Sequence, residues 1–318
     1  MEEIEDNIAR LEKFIEILSI DYSYNKNEVF AYNLLVRASV IKCYEFLKFV
    51  FLKNEEGHFF ISTNYLRSII EDIIVLKSIQ AFPLETRDAL LLRIQEIEVN
   101  NRTLVQWDFF QKYRPFQPII NRVLDIEEAK AELQKIWQEN GWPNFKVSLK
   151  SFMPPVRQLA EKLAPGILDI LYEFIYRLTS STVHFSVQTL FRMSWGNIQG
   201  DEFSGTISTN HMSNYNETFC KIYGPLLFSF YFEFFAEELN ATEVEQYIIQ
   251  SVRKELIENI RWPELITFEE MNLKVPKAYH DQFIPNITIH KYFVEMLKDG
   301  FINKEFEMFL DKIKIKSE

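Results

Sequence analysis

The chain has 318 residues, of which 47% are hydrophobic and 25% are charged, a composition typical of a folded protein with a sizeable core. The net charge of −11 argues against a broad basic surface that captures nucleic acid by charge alone, and leaves room only for a local basic site. With only 8 glycines and much Leu, Ile, Glu and Lys, the composition favours long helices over a loop-rich β protein.

Helices are predicted along almost the whole chain, from apolar periodicity and from the residues that start and stop helices. Ser62 or Thr63 is predicted to cap the third helix, and Thr242 the last. A polar loop is predicted over residues 197–211. The predicted helices cover residues 2–20, 28–53, 62–82, 86–113, 125–139, 156–163, 167–198, 213–239 and 242–259.

Two segments depart from the helical pattern. Residues 140–155 contain glycine and three prolines, but Trp142, Phe145 and Phe152 would be costly to expose, so this connection is expected to pack on the core. From residue 260 onward, prolines and short apolar runs replace the long helices. The predicted architecture is therefore an all-α, multi-helix bundle over residues 1–259, with an irregular C-terminal appendage over residues 260–318 packed on it.

Several classes of site and location are not favoured. Cys43 and Cys220 lie in apolar helical surroundings and are predicted to be buried thiols. No histidine pair has the spacing of metal ligands on a helix, and no nucleotide-binding motif is present, so neither a metal nor a cofactor is expected. The apolar run Ile222–Phe235 is shorter than the ~20 residues of a membrane span and contains Glu233, which favours a core helix. The N-terminus does not resemble a signal peptide, so a cytoplasmic location without membrane association is expected.

A polar patch interrupts the apolar helix predicted over residues 167–198. Arg177 and His184 are seven residues apart, and two helical turns bring them to within about 20° of each other, roughly 10.5 Å along the helix. Ser180 and Ser181 lie between them on the same face. A guanidinium, hydroxyls and an imidazole suit phosphate chemistry, because arginine binds phosphate oxygens and histidine exchanges protons near neutral pH. The same spacing is also compatible with structural hydrogen bonds.

A second polar pair lies on the helix predicted over residues 62–82. Arg67 and Glu71 are four residues apart and therefore share a face. They are interpreted either as a surface ion pair or, because their neighbours are isoleucines and leucines, as a partly buried pair that organises a site.

These two segments together resemble the HEPN superfamily of helical nucleases. Arg177, six intervening residues and His184 match its R-x(4–6)-H signature. The segments LRSIIEDI and YEFIYRLTSSTVH are similar to a bacterial HEPN-related family in which an Arg-x-x-x-Glu helix accompanies a Tyr-Arg…Ser…His helix. The resemblance covers roughly residues 28–240.

The resemblance implies an all-α, metal-independent endoribonuclease, in many cases a homodimer that acts as a toxin or antiviral effector. RNA would bind at a local site, and an antitoxin or other defence protein would be a partner. By this resemblance His184 is the acid/base and Arg177 holds the phosphate. Secondary roles fall to Tyr176, Ser180 and Ser181, and supporting roles to Arg67 and Glu71.

One residue departs from the pattern and keeps a second hypothesis open. The residue after the motif arginine is commonly polar in active HEPN nucleases, and here it is Leu178. The alternative is a non-catalytic interaction or ligand-binding protein, in which Arg177, Glu71 and His184 belong to a structural polar network.

Overall fold

The structure, a computed structural model, describes residues 1–20, 30–52, 58–114, 126–164, 166–183, 193–199 and 202–260. The described residues form an all-α, multi-helix bundle, which confirms the predicted fold class. The helices are α1 Glu2–Arg10, α2 Glu12–Ile20, α3 Phe30–Leu52, α4 His58–Gln80, α5 Leu84–Tyr113, α6 Glu127–Glu139, α7 Val156–Leu163, α8 Ile167–Val183, α9 Ser213–Phe234, α10 Ala236–Leu239 and α11 Glu243–Asn259, with a 3₁₀ turn at Thr209–Met212 and strands β1 Ser194–Gln199 and β2 Glu202–Ile207.

The chain divides into two compact units. The first unit comprises the described residues within 1–22, 36–74 and from 160 onward, and the second comprises the described residues within 23–35 and 75–159. The predicted appendage, apart from Ile260, lies outside the described residues, so the domain boundary after residue 259 stays a prediction.

The core of the first unit is built around α9. Every residue of its central run, Ile222–Phe232, is buried, as predicted for a core helix. Gly224 allows α9 to approach α3 closely, since a Cβ atom there would lie 2.9 Å from side-chain atoms of both Phe46 and Leu47. Helix α11 packs against both α9 and α1. It begins at Thr242 with a complete capping box, which confirms the predicted start.

The core of the second unit is built around Trp137 of α6, which is fully buried. Its ring contacts Phe82, Trp142 and Phe145, with centroids 5.6, 6.4 and 6.1 Å away. The indole N–H donates to the carbonyl oxygen of Phe152 at 3.2 Å. The irregular segment 140–155 therefore packs on α6, as its aromatic residues predicted.

Two predicted helix boundaries are wrong. The acidic N-terminal segment forms two helices that meet at Leu11, and not one helix over residues 2–20. Helix α4 begins at His58, so Ser62 and Thr63 are buried inside it and neither caps it. The Thr63 hydroxyl donates to the carbonyl oxygen of Phe60 at 3.0 Å, which satisfies this polar side chain within the helix.

The end of the helix predicted over residues 167–198 and the loop predicted over residues 197–211 are also wrong. Residues 194–199 form β1, which pairs with β2 in an antiparallel hairpin, with Gly196 opposite Gly205. Glycines at 196 and 200 disfavour a helix. The Gly200-Asp201 pair between two short runs is a sequence typical of a tight hairpin turn.

The two cysteines and the apolar helices have the environments predicted for them. Cys43 and Cys220 are buried free thiols, and burial raises the pKa of both. Within the described part of the chain, no helix has the length and apolar character needed to cross a membrane.

Candidate functional site

Helix α8 presents Arg177 to solvent. The Arg177 side chain is 75% exposed, while Leu171 and Ile175 on the opposite side of the helix are fully buried. The guanidinium pairs with Glu173, one turn earlier on the same helix, and the Nε–H donates to Glu173 Oε1 at 2.5 Å. Arg177 is therefore accessible to solvent. Its carboxylate partner is Glu173, and not Glu71 as the hypothesis of a non-catalytic polar network expected.

Arg67 and Glu71 form the predicted pair on α4, and the pair is half-buried. Arg67 Nε donates to Glu71 Oε1 at 3.0 Å, with 21% and 29% of the two side chains exposed. The Arg67 guanidinium carbon also lies 4.3 Å from the ring centroid of Tyr176 on α8. Of the two interpretations, the structure therefore supports the partly buried pair. Arg67 also joins α4 to α8 through a cation–π contact.

Tyr172 extends this contact along α8. Its ring centroid is 5.3 Å from that of Tyr176, and only 6% of the residue is exposed. Burial, followed by the nearby Glu71 carboxylate, raises the pKa of Tyr172 to about 12. The phenol is therefore neutral over the whole physiological range and acts as a packing group beside the charged residues.

The hydroxyl patch that follows Arg177 divides into different environments. Thr179 is buried, and its hydroxyl donates to the Ile175 carbonyl oxygen at 2.7 Å. Ser180 is half-buried. The side chain of Ser181 and the whole of His184 lie outside the described residues, so the shared face of Arg177 and His184 stays a prediction.

A second polar cluster joins α3, α4 and α9, and no sequence motif pointed to it. Ser39 bonds the Tyr231 hydroxyl at 2.5 Å and donates to Asp72 Oδ2 at 3.2 Å. Lys42 Nζ donates to Asp72 Oδ2 at 2.5 Å and to Ser68 Oγ at 2.7 Å. The available signal was Asp72 itself, a second carboxylate next to Glu71 within a run of isoleucines.

Neither this cluster nor the group formed by Arg67, Glu71, Glu173 and Arg177, called the α4–α8 cluster, has the composition of a metal centre. Among the residues that the structure describes, no group of three or more His, Cys, Asp or Glu side chains is arranged to hold a metal ion. The α4–α8 cluster combines two guanidiniums and two carboxylates, from Arg67, Arg177, Glu71 and Glu173. Arg177 is the exposed cation of this cluster. The helix that carries it, α8, is joined to α4 by the contact between Arg67 and Tyr176.

Comparison with known proteins places this region within a described family. A family model with the description "Family of unknown function (DUF5677)" matches residues 33–202, which is more than half of the 318 residues. The matched span contains the polar residues of α4 and α8 and every member of the second cluster except Tyr231. No curated protein and no solved structure matches the chain.

Proposed function

The chain belongs to the DUF5677 family, whose function is unknown, and from the side chains in the matched span we propose that it is a metal-independent, HEPN-like endoribonuclease. Arg177 holds an RNA phosphodiester and His184 transfers the proton. The family description supplies no activity, so the proposal depends on the residues themselves.

The exposure of Arg177 is the observation that carries the proposal. Its partner Glu173 is 41% exposed, and a solvent-exposed i, i+4 ion pair contributes only about 0.3–0.5 kcal/mol. A phosphodiester can replace this carboxylate, because the planar guanidinium donates two parallel hydrogen bonds to phosphate oxygens. Arg177 is therefore available to an anionic ligand at little cost in stability.

The half-buried contact between α4 and α8 supports a fixed position for this cation. Arg67 lies against Tyr176, the residue before Arg177, and is itself oriented by Glu71. The Arg67 guanidinium is held between the Tyr176 ring and the Glu71 carboxylate and has little freedom to move. It therefore fixes the turn of α8 that carries Arg177. We assign Arg67, Glu71 and Tyr176 as positioning residues and not as groups that contact RNA.

The proposed reaction is an internal transesterification of RNA. His184 takes the proton of a 2′-hydroxyl, and the oxygen forms a bond to the adjacent phosphorus while the bond from phosphorus to the 5′-oxygen breaks. The imidazolium returns the proton to the leaving 5′-oxygen. The products are a 2′,3′-cyclic phosphate and a 5′-hydroxyl, and histidine suits both transfers because its ordinary pKa lies near neutral pH.

The biological setting is part of the same proposal. The resemblance to HEPN nucleases supports a cytoplasmic homodimer that acts as a toxin or antiviral effector, with an antitoxin or other defence protein as its partner. The chemistry at Arg177 can be tested without knowing that setting, because cleavage of RNA can be measured with the purified chain.

One observation favours a second candidate function, a non-catalytic interaction protein. Arg67 has partners in both Glu71 and Tyr176, so much of the cluster is satisfied without any ligand. In that case Arg177 and His184 serve stability or the binding of another protein, and RNA is not cut.

Cleavage of an end-labelled single-stranded RNA by the wild type and by Arg177→Ala and His184→Ala distinguishes the two functions. We expect His184→Ala to lower the rate by about 10²–10⁴-fold, with unchanged thermal unfolding, and a chelator to leave the wild-type rate unaltered. Arg10→Ala, which removes an exposed arginine of α1, is the matched control. Mass spectrometry should show the cyclic phosphate.

The opposite pattern contradicts the nuclease. In that pattern the wild type leaves every RNA intact, and the His184→Ala variant unfolds at a lower temperature than the wild type. A variant that cuts as fast as the wild type would remove His184 from the mechanism.

A further inference from the structure

The C-terminal half of α5 is not covered by the core of the second unit. The N-terminal half buries Leu90, Leu91 and Ile97, whereas no residue from 101 to 113 is buried. Thirteen helical residues span about 20 Å. This segment is therefore a helical surface that contributes side chains to solvent.

Aromatic rings occupy this surface. Phe109 and Tyr113 are 51% and 60% exposed, and since they are one turn apart their ring centroids lie 5.2 Å from each other. Phe110 packs edge-on against Phe109 at 5.5 Å. Exposed apolar rings grouped in this way mark an interaction surface.

The charge around these rings is positive, although the chain carries a net charge of −11. Residues 101–114 contain three basic residues, Arg102, Lys112 and Arg114, and one acidic residue, Asp108, and Arg102 is paired with Glu98 one turn earlier. Lys112 Nζ lies 5.1 Å from the ring centroid of Tyr113. Lys112 and Arg114 therefore flank the exposed Tyr113 directly.

We propose that residues 101–114 are a stacking platform for single-stranded RNA. Phe109 and Tyr113 would stack on unpaired bases while Lys112 and Arg114 contact phosphates, the combination by which proteins bind single strands. The proposal rests on the function proposed above, in which RNA is the substrate, and assigns that substrate a binding surface outside α8.

Charge complementarity favours RNA over a second copy of the chain as the occupant. Two copies that met through this surface would bring the same excess of cations together, and like charges in contact destabilise an interface. A single strand supplies phosphates for the cations and base faces for the rings. A duplex supplies phosphates but keeps its bases stacked within the helix.

Binding of a fluorescein-labelled oligouridylate to the full chain, followed by anisotropy, tests the platform. His184→Ala serves as the background so that the probe stays intact. We expect Phe109→Leu and Tyr113→Leu, which keep apolar area but remove the ring, each to weaken binding about 10-fold. Tyr247→Leu, which removes a tyrosine of α11 that is 70% exposed, is the matched control and should bind like the background protein.

Each other result overturns the platform. Binding that is insensitive to both ring substitutions places RNA elsewhere, and equal binding of a duplex of the same length excludes stacking. Absence of RNA binding, together with self-association that the Phe109→Leu variant abolishes, makes this surface an interface between copies. Ring-dependent binding without cleavage by the wild type would contradict the nuclease alone, whereas cleavage with ring-independent binding would contradict the platform alone.

Discussion

Burial of a single phenol couples the α4–α8 contact to pH. Tyr172 is 6% exposed, and burial beside the Glu71 carboxylate raises its pKa to about 12, against about 10 in an unfolded chain. The folded protein therefore holds the proton more tightly than the unfolded chain. This contribution to the free energy of unfolding is fully present below pH 10 and is lost as the pH rises from about 10 to about 12.

Tyr172→Phe should flatten the loss of stability at alkaline pH, because phenylalanine has no proton to release. Urea unfolding at pH 8, 10, 11 and 12 measures this, and the variant's free energy of unfolding should fall less than that of the wild type above pH 10. Tyr44, whose pKa burial also raises to about 12, keeps part of the dependence in both proteins. Superimposable curves for the variant and the wild type would show that Tyr172 does not carry the effect.

Three helices of the first unit are joined by polar contacts through Asp72. This carboxylate accepts from Ser39 and Lys42 of α3, and Ser39 in turn bonds the fully buried Tyr231 hydroxyl of α9. Buried polar groups are costly when a partner is removed, because the remaining group has lost its water without gaining a hydrogen bond. The cluster therefore specifies how α3, α4 and α9 pack together.

Asp72→Ala should lower the free energy of unfolding by about 1–3 kcal/mol, since the bonded hydroxyls of Ser39 and Tyr231 then have two protons to donate and only one acceptor between them. Glu139→Ala is the control, because its partner Lys135 is 73% exposed and lies 3.8 Å away, and it should change stability by less than about 0.5 kcal/mol. Chemical denaturation measures both variants. Equal effects of the two substitutions would mean that the Asp72 contacts add nothing beyond those of a surface pair.

Elements with a strong local signal could be predicted from the sequence, and contacts between distant segments could not. The periodicity of α9, the Thr242 cap and the Arg67–Glu71 spacing all act within one or two helical turns. The bond between Ser39 and Tyr231 joins residues 192 positions apart, which no local pattern encodes. The hairpin was missed although Gly200-Asp201 marks it, because the apolar residues before it continue the pattern of α8.

At the candidate site, the same distinction separates chemistry from geometry. The sequence identified Arg177 and the Arg67–Glu71 pair, but the exposure of one and the half-burial of the other depend on how α8 packs against α4. The stack of Arg67 on Tyr176 likewise requires two helices to meet. The spacing along one helix predicts which residues share a face, but only the packing of the helices shows which of those side chains are exposed to solvent.

The charge of the whole molecule limits how the proposed RNA substrate can bind. With a net charge of −11, most of the surface repels phosphates, so attraction must come from local groups of cations. At the end of α5 the cations beside the exposed rings are Lys112 and Arg114, since Arg102 is paired with Glu98. Recognition should therefore depend more on ring stacking and less on counterion release than it does in proteins with broad basic surfaces.

The salt dependence of RNA binding should be correspondingly weak. For single strands the slope of log K against log salt concentration is about −0.7 per neutralised phosphate, so the two cations Lys112 and Arg114 predict a slope of about −1.4. Anisotropy titrations of the oligouridylate between about 50 and 300 mM salt measure this slope. Lys112→Gln should make the slope less negative by about 0.7 to 1. Asp108→Asn, which removes a carboxylate from the same segment, should strengthen binding without the loss of a phosphate contact. A slope several times steeper would require many more cations than α5 provides, and would move the RNA-binding surface to another part of the chain.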